Sequence, residues 1–136
     1  MDYKKPLPQA DPVTAPFWES VKAHAMKIQR CNDTGKFFFY PRGMSPFTLS
    51  DNISWEPVSG KGTVHAFSIV HNNRAPGFAD EIPYVVAMIE LEEGPRMMSN
   101  LIDVEPDPEH VKIGMPVEIV YDDVTDEITL PKFRPA

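Results

Sequence analysis

The chain is poor in cysteine: Cys31 is the single one in 136 residues, which excludes an intramolecular disulfide framework. Long apolar runs are missing too. None approaches the roughly 18 to 20 residues that a membrane-spanning helix needs, so no membrane partner is expected. The N-terminus Met-Asp-Tyr-Lys-Lys-Pro lacks the apolar stretch of a signal peptide, and a cytoplasmic location is the expectation. Positive charge is scarce from residue 57 onward, where six Lys and Arg (Lys61, Arg74, Arg96, Lys112, Lys132, Arg134) face fourteen Asp and Glu; the first 56 residues carry seven basic and six acidic ones. Nucleic-acid binders neutralise phosphates with Lys and Arg, so this balance disfavours nucleic acid. A glycine-rich phosphate loop is absent as well: Ser59-Gly60-Lys61-Gly62 leads into a strand rather than opening a helix, and strand-entry geometry accounts for its glycines. Histidines are few and badly spaced for chemistry. His65 and His71 share one strand face, His24 and His110 stand alone, and no His-x-x-x-His or Glu-x-x-His pattern offers a metal site. Cys31 has no recognisable activating partner, and Glu90, Glu92 and Glu93 crowd what reads as a solvated strand end. No catalytic residue, metal or cofactor is assigned.

What is present is enough to fold, with 42% hydrophobic and 24% charged residues. The chain is organised around three consecutive strands, Ser59 to His71, Tyr84 to Glu92 and Arg96 to Ile102. The second is a nearly continuous apolar run stopped by Glu92-Glu93-Gly94-Pro95, which implies a strand covered on both faces. Pro116 to Asp122 reads as a fourth strand and Glu127 to Leu130 as a fifth, with a turn or short helix between Glu105 and Val111. Five short strands with a brief link between the third and fourth is the arrangement of an OB-fold, a Greek-key barrel. Ahead of it, Pro6, Pro8 and Pro12 make residues 1–13 an extended arm, either disordered or wrapped on a neighbouring subunit. A helix is expected from Asp11 or Thr14, with Phe17, Val21, Ala25 and Ile28 on one face and Trp18 beside them. Lys27 to Cys31 and Lys36 to Tyr40 read as a hairpin turned by Asn32-Asp33-Thr34-Gly35. The predicted organisation is mainly β: arm 1–13, helix and hairpin region 14–56, barrel and tail 57–136.

Pro16-Phe17-Trp18-Glu19, Gln29-Arg30-Cys31, Ser59 to Val64, Pro83 to Ala87, Glu93 to Arg96, Ile113 to Val117 and Leu130 to Phe133 resemble, in order and spacing, the acyl-CoA-associated OB-fold proteins with an N-terminal rubredoxin-like zinc ribbon, the family known as DUF35. The resemblance covers roughly residues 16–135. It implies a small, generally non-catalytic subunit that accompanies thiolase-like enzymes or enoyl-CoA hydratases. It also implies that Cys31, Thr34, Ser45 and Thr48 stand in the four ligand slots of the ribbon, three of them emptied of cysteine. Hydroxyls do not replace thiolates on structural zinc, so no zinc is predicted, and the hairpin is expected to survive on aromatic packing from Phe37, Phe38, Phe39 and Tyr40.

Surface for a partner is sought where apolar residues fall on connections. The loop Asn72 to Pro83 carries Arg74, Phe78 and Ile82; Phe78 is either a lid on the barrel or a partner contact. Phe17 and Trp18 either pack the helix on the barrel, stack on a ligand or join a protein interface. The tail Pro131-Lys132-Phe133-Arg134 sets an aromatic between two cations, suited to an enzyme surface or, through Lys132 and Arg134, to a coenzyme A phosphate where subunits meet; a frayed terminus is the alternative. The expected function is a non-catalytic accessory subunit docked on an acyl-CoA-processing enzyme, a thiolase-like acyltransferase or aldolase first and an enoyl-CoA hydratase second, with acyl-CoA at the shared interface. A stand-alone acyl-CoA or small-ligand binder and a single-stranded nucleic-acid module are the competing readings.

Overall fold

The structure, a computed structural model, describes residues 3–136. Asp11 and Thr14 open the first element reciprocally: the Asp11 carboxylate accepts from the Thr14 and Val13 N–H groups at 2.8 and 2.9 Å, and the Thr14 hydroxyl accepts from Asp11 N–H at 3.0 Å. Helix α1 then runs from Ala15 to Lys22, with Pro16 in its first turn, where no N–H is missed. It is shorter than the apolar stripe suggests. His24 takes a left-handed φ of 58°, Ala25 is exposed and Ile28 already lies in a strand. Only Phe17 and Val21 of the predicted stripe are helical and buried.

Three strands follow: β1 (Lys27–Cys31), β2 (Phe37–Phe38) and β3 (Ile53–Pro57), ordered β2-β1-β3 and antiparallel. The β1–β2 turn is the expected one. Gly35 adopts φ 77° and its N–H reaches Cys31 O at 2.7 Å. The strand β3 has no counterpart among the predicted elements; it pairs along the whole of β1, from Lys27↔Pro57 to Cys31↔Ile53.

The barrel consists of β4 (Lys61–Val70), β5 (Tyr84–Leu91), β6 (Arg96–Leu101), β7 (Pro116–Asp123) and β8 (Thr129–Pro135), closed in the order β4-β5-β6-β8-β7. This is the five-stranded OB architecture expected from the sequence. In β5 one face, Val85, Ala87, Ile89 and Leu91, is buried inside, while Tyr84, Val86, Met88 and Glu90 are half-buried, so the outer face is only partly covered. The fifth strand is displaced relative to the expectation: it begins at Thr129 and takes in the tail. Phe133 is fully buried and pairs with both Leu101 and Ile119. It is a core residue, which removes it from the partner-binding residues proposed on sequence grounds, and the tail is a paired strand rather than a frayed end.

One apolar cluster joins all parts. Phe17 and Val21 of α1, Met26 and Ile28 at the start of the three-stranded sheet, and Val64, Ile89 and Phe133 of the barrel are continuous in it. Tyr121 reinforces the junction, its hydroxyl accepting from Met26 N–H at 2.8 Å. Among the described residues, no helix is long and apolar enough to cross a membrane.

Candidate docking groove

The barrel closes imperfectly, and the cause is a single residue. Strands β6 and β8 run parallel but pair only at Leu101↔Phe133; two residues earlier in β8 stands Pro131, which has no N–H to donate. The seam beside it is bridged by one side chain, Ser99, whose hydroxyl donates to Pro131 O at 2.8 Å. The unpaired stretch opens into a groove of about 390 Å³ floored by Met97 and Leu130 and walled by Phe17, Trp18, Phe39 and Tyr40. The aromatic wall is packed edge to face or tilted: Phe17 lies 5.1 Å from Trp18 and 5.3 Å from Phe39, and Phe39 lies 4.3 Å from Tyr40. At the rim Met98 is 57% exposed, and its N–H is capped by the Tyr40 hydroxyl at 3.0 Å.

Past Asn100, Leu130 and Lys132 the groove continues into a smaller hollow of about 200 Å³ under the N-terminal arm, bounded by Tyr3, Pro6, Phe78 and Tyr84. The arm is held there by Lys5, which binds Glu81 at 2.6 Å and lies 5.3 Å above the Phe78 ring. Phe78 rests 6.1 Å from Tyr84 and is half-buried. Beside Tyr84 it borders the hollow.

Of the residues singled out from sequence, the groove gathers Phe17, Trp18 and Lys132, and the hollow beside it Phe78 and again Lys132. Arg74, exposed, and Ile82, half-buried, line neither hollow. The two cations of the tail are engaged within the fold: Lys132 Nζ meets Asp122 at 2.5 Å with a side chain only 13% exposed, and Arg134 binds Glu118 through Nε and Nη2 at 3.0 and 2.8 Å. A coenzyme A phosphate would have to displace these carboxylates. Sequence reasoning misses Phe39, Tyr40, Met97, Met98 and Leu130 as site residues; the aromatic run ending at Pro41 and the proline inside β8 are the available signals. The main groove contains no carboxylate or imidazole. It is suited to taking up an apolar group, and its lining offers no acid–base pair.

The four ribbon slots also converge. Cys31 is buried and its Sγ lies 4.0 Å from Thr48 Oγ1. Hydrogen bonds from the hydroxyls of Ser45 first, then Thr34, hold its thiol down at about 7, below the ordinary 9.0. The loop from Arg42 to Asn52 is fastened by polar groups. Ser45 Oγ accepts from Phe47 and Thr48 N–H at 3.1 and 3.3 Å. The Asp33 carboxylate gathers the Ser50, Thr48 and Asn52 side chains, which lowers its own pKa, Ser50 contributing most.

The family model described as "ChsH2, C-terminal OB-fold domain" matches residues 55–122. A "DUF35 domain-containing scaffold protein" of Methanothermobacter thermautotrophicus is 37% identical over 99 residues, covering 72% of this chain and 72% of the relative. The chain belongs to the DUF35 family. A "probable enoyl-CoA hydratase alpha subunit" of Thermomonospora curvata is 36% identical over 132 residues, 97% of this chain but 40% of that protein. The chain spans about two fifths of the length of the hydratase subunits it matches. A solved structure described as "Ltp2-ChsH2(DUF35) aldolase" superposes with a TM-score of 0.84 at 34% identity, covering 94% of this chain and 98% of that one.

The resemblance drawn from sequence brings with it the question of zinc in this DUF35 chain. The donor set does not fit: one thiol and three hydroxyls stand where a tetrahedral structural site needs four thiolates or imidazoles, and Ser45 and Thr48 already spend their oxygens on the loop backbone and Asp33. Among the described residues, no group of three or more His, Cys, Asp or Glu is arranged for a metal. The ribbon keeps its hairpin by these hydrogen bonds as well as by aromatic packing, Phe47 standing edge-on to Phe38 at 6.3 Å.

Proposed function

We propose that this DUF35 chain is a non-catalytic accessory subunit that docks on and supports an acyl-CoA-processing enzyme in the cytoplasm, a thiolase-like acyltransferase or aldolase first and an enoyl-CoA hydratase second. The observation that carries the reading is the apolar groove at the β6–β8 seam, which offers contact area and no acid–base pair, on a chain whose relatives are named as scaffold, hydratase subunit and aldolase component. Trp18, Tyr40 and Met98 would seat an apolar element of the enzyme, and Phe78 with the arm from residue 3 to 13 would extend the contact along the second hollow. Acyl-CoA would lie at the shared interface; binding of its phosphates by Lys132 or Arg134 requires exchange of Asp122 or Glu118.

The test is a pull-down of the tagged chain from its native cell extract, with co-purifying chains identified by mass spectrometry and zinc assayed on the same sample. A thiolase-like or hydratase subunit in near-stoichiometric amount supports the reading, and recovery of the chain alone counts against it. The volume and apolar lining of the groove also favour a second reading, a free-standing acyl-CoA or small-ligand binder. Saturable binding of an acyl-CoA by the isolated chain would select it.

A further inference from the structure

The loop Arg42 to Asn52 presents a surface that the groove does not use. Met44, Phe47 and Leu49 are 51%, 46% and 72% exposed, three large apolar side chains within six positions. Leu49 holds a left-handed φ of 63°, a conformation that a bulky non-glycine residue adopts only under constraint from its surroundings. The constraint is visible. Leu49 N–H bonds Ser45 O at 2.9 Å and Ser45 N–H bonds Ser50 O at 2.8 Å. The base of the loop is clamped by buried Gln29, whose side-chain amide exchanges two hydrogen bonds with the Arg42 backbone at 2.6 and 2.7 Å. Asp33 ties down the far side. A loop fastened this thoroughly displays its apolar tips in a fixed geometry, and such preorganisation lowers the entropic cost of association.

The three-stranded sheet with its loop, residues 27–57, carries Lys27, Arg30, Lys36 and Arg42 against Asp33, Asp51 and Glu56, a net +1 in a chain whose net charge is −7. Lys36 Nζ lies 5.4 Å above the Phe47 ring, so a cation borders the apolar tips directly. The loop also continues from Tyr40 and Pro41, which line the groove. From these observations we infer that the Met44–Phe47–Leu49 knuckle is a second docking surface, whose occupant is a protein surface bearing an apolar slot rimmed by carboxylates. The inference rests on the accessory-subunit reading and names the chemistry of the partner's contact: apolar insertion gives it affinity, and the surrounding cations give it orientation and association rate.

The discriminating variant is Leu49→Gly. Glycine takes φ 63° without strain, so the fold is retained while the most exposed apolar tip disappears. The enzyme subunit recovered with the tagged chain is titrated against wild type, Leu49→Gly, Phe47→Ser and Ile113→Ser by calorimetry, with each variant's melting temperature measured in parallel. Leu49→Gly and Phe47→Ser are expected to bind about tenfold or more weakly. Ile113→Ser, a control at a site 71% exposed on the β6–β7 connection, is expected to bind as wild type. Wild-type affinity should fall with salt, and Lys36→Glu with Arg42→Glu should abolish that dependence. Wild-type binding by a folded Leu49→Gly overturns the knuckle and leaves the accessory reading standing. Recovery of no enzyme subunit overturns both. Flotation of the isolated chain with phosphatidylcholine–phosphatidylserine vesicles, or its self-association in sedimentation, would overturn the protein occupant in favour of lipid or of a second copy if Leu49→Gly abolished either.

Discussion

At Gly62 a methyl group has nowhere to go. An added Cβ would meet the Glu90 carbonyl oxygen inside contact distance and Ile89 Cγ2 at 3.0 Å, and β5 cannot yield because it is paired to β4 on either side of the contact, Gly62↔Leu91 and Thr63↔Glu90. Alanine in place of a strand glycine ordinarily stabilises by about 0.5–1 kcal/mol; here overpacking reverses the sign, and Gly62→Ala should lose about 1–3 kcal/mol, read from the midpoint of urea denaturation. An unchanged or higher midpoint refutes the close approach. Asp33 shows the same residue-level determinism through charge. Its three side-chain donors favour the carboxylate and lower its pKa in the folded state. The stabilisation is therefore complete above the ordinary value of 3.8 and is lost as pH falls through the lowered one. Asp33→Asn should lower stability at neutral pH and flatten part of the acid decline. The remaining slope belongs to Asp107 and Asp123, whose carboxyls are held down chiefly by hydrogen bonds to His110 and His24, and to Asp11, held down chiefly by the Thr14 backbone N–H. A denaturation series across acidic pH checks this, and an unaltered slope in Asp33→Asn would sink it.

At the scale of elements, the ribbon is the clearest case of a shape outliving its ligands. Cys31, Thr34, Ser45 and Thr48 still face one point, with Cys31 Sγ 4.0 Å from Thr48 Oγ1. Returning thiols to Thr34, Ser45 and Thr48 together should create a tetrahedral site of four thiolates. The triple variant is expected to bind one zinc per chain, by metal analysis after dialysis, and to melt at a higher temperature that a chelator reverses. A metal-free, destabilised triple variant would mean that the slots no longer converge closely enough. These elements differ in how plainly the sequence announces them. The strands β4 to β7 are legible within a residue or two because apolar β-formers stop at turn residues such as Glu92-Glu93-Gly94-Pro95. The fifth barrel strand reads as ending at Leu130 because Pro131 resembles a terminator, yet a proline is tolerated where the neighbouring strand requires no donor. Strand β3 is silent in the sequence because Ile53-Ser-Trp-Glu-Pro57 has no buried face and gains its identity only from pairing with β1. Trp18 and Phe78 can be nominated as exposed or oddly placed aromatics, but the groove depends on a missing β6–β8 ladder, a long-range property that no local pattern encodes.

For the whole molecule the question is whether two sheets make two folding units. Their separate pairing orders suggest independence, but burial argues otherwise. Val21, on α1, is fully buried in the cluster that also holds Met26 and Ile28 of the ribbon side and Phe133 of the barrel. His24 stacks on Tyr121 at 4.9 Å and binds Asp123 at 2.9 Å, and Val58 N–H returns to Met26 O at 3.3 Å, so the chain crosses the junction under both apolar and polar restraint. The three-stranded sheet has little interior of its own, and its stability is borrowed from the helix and barrel beneath it. Val21→Ala removes two methyl equivalents from that junction and should cost about 2 kcal/mol. The loss must appear equally on both sides if the cluster is one cooperative unit. Trp18→Phe and Trp55→Phe variants leave a single indole on β3 or on α1 respectively, so fluorescence can follow each side separately. Coincident urea transitions that move together on adding Val21→Ala are expected. If the Trp55 signal melts before the Trp18 signal, the ribbon is an independent unit, and a bound partner rather than the barrel would have to supply its stability.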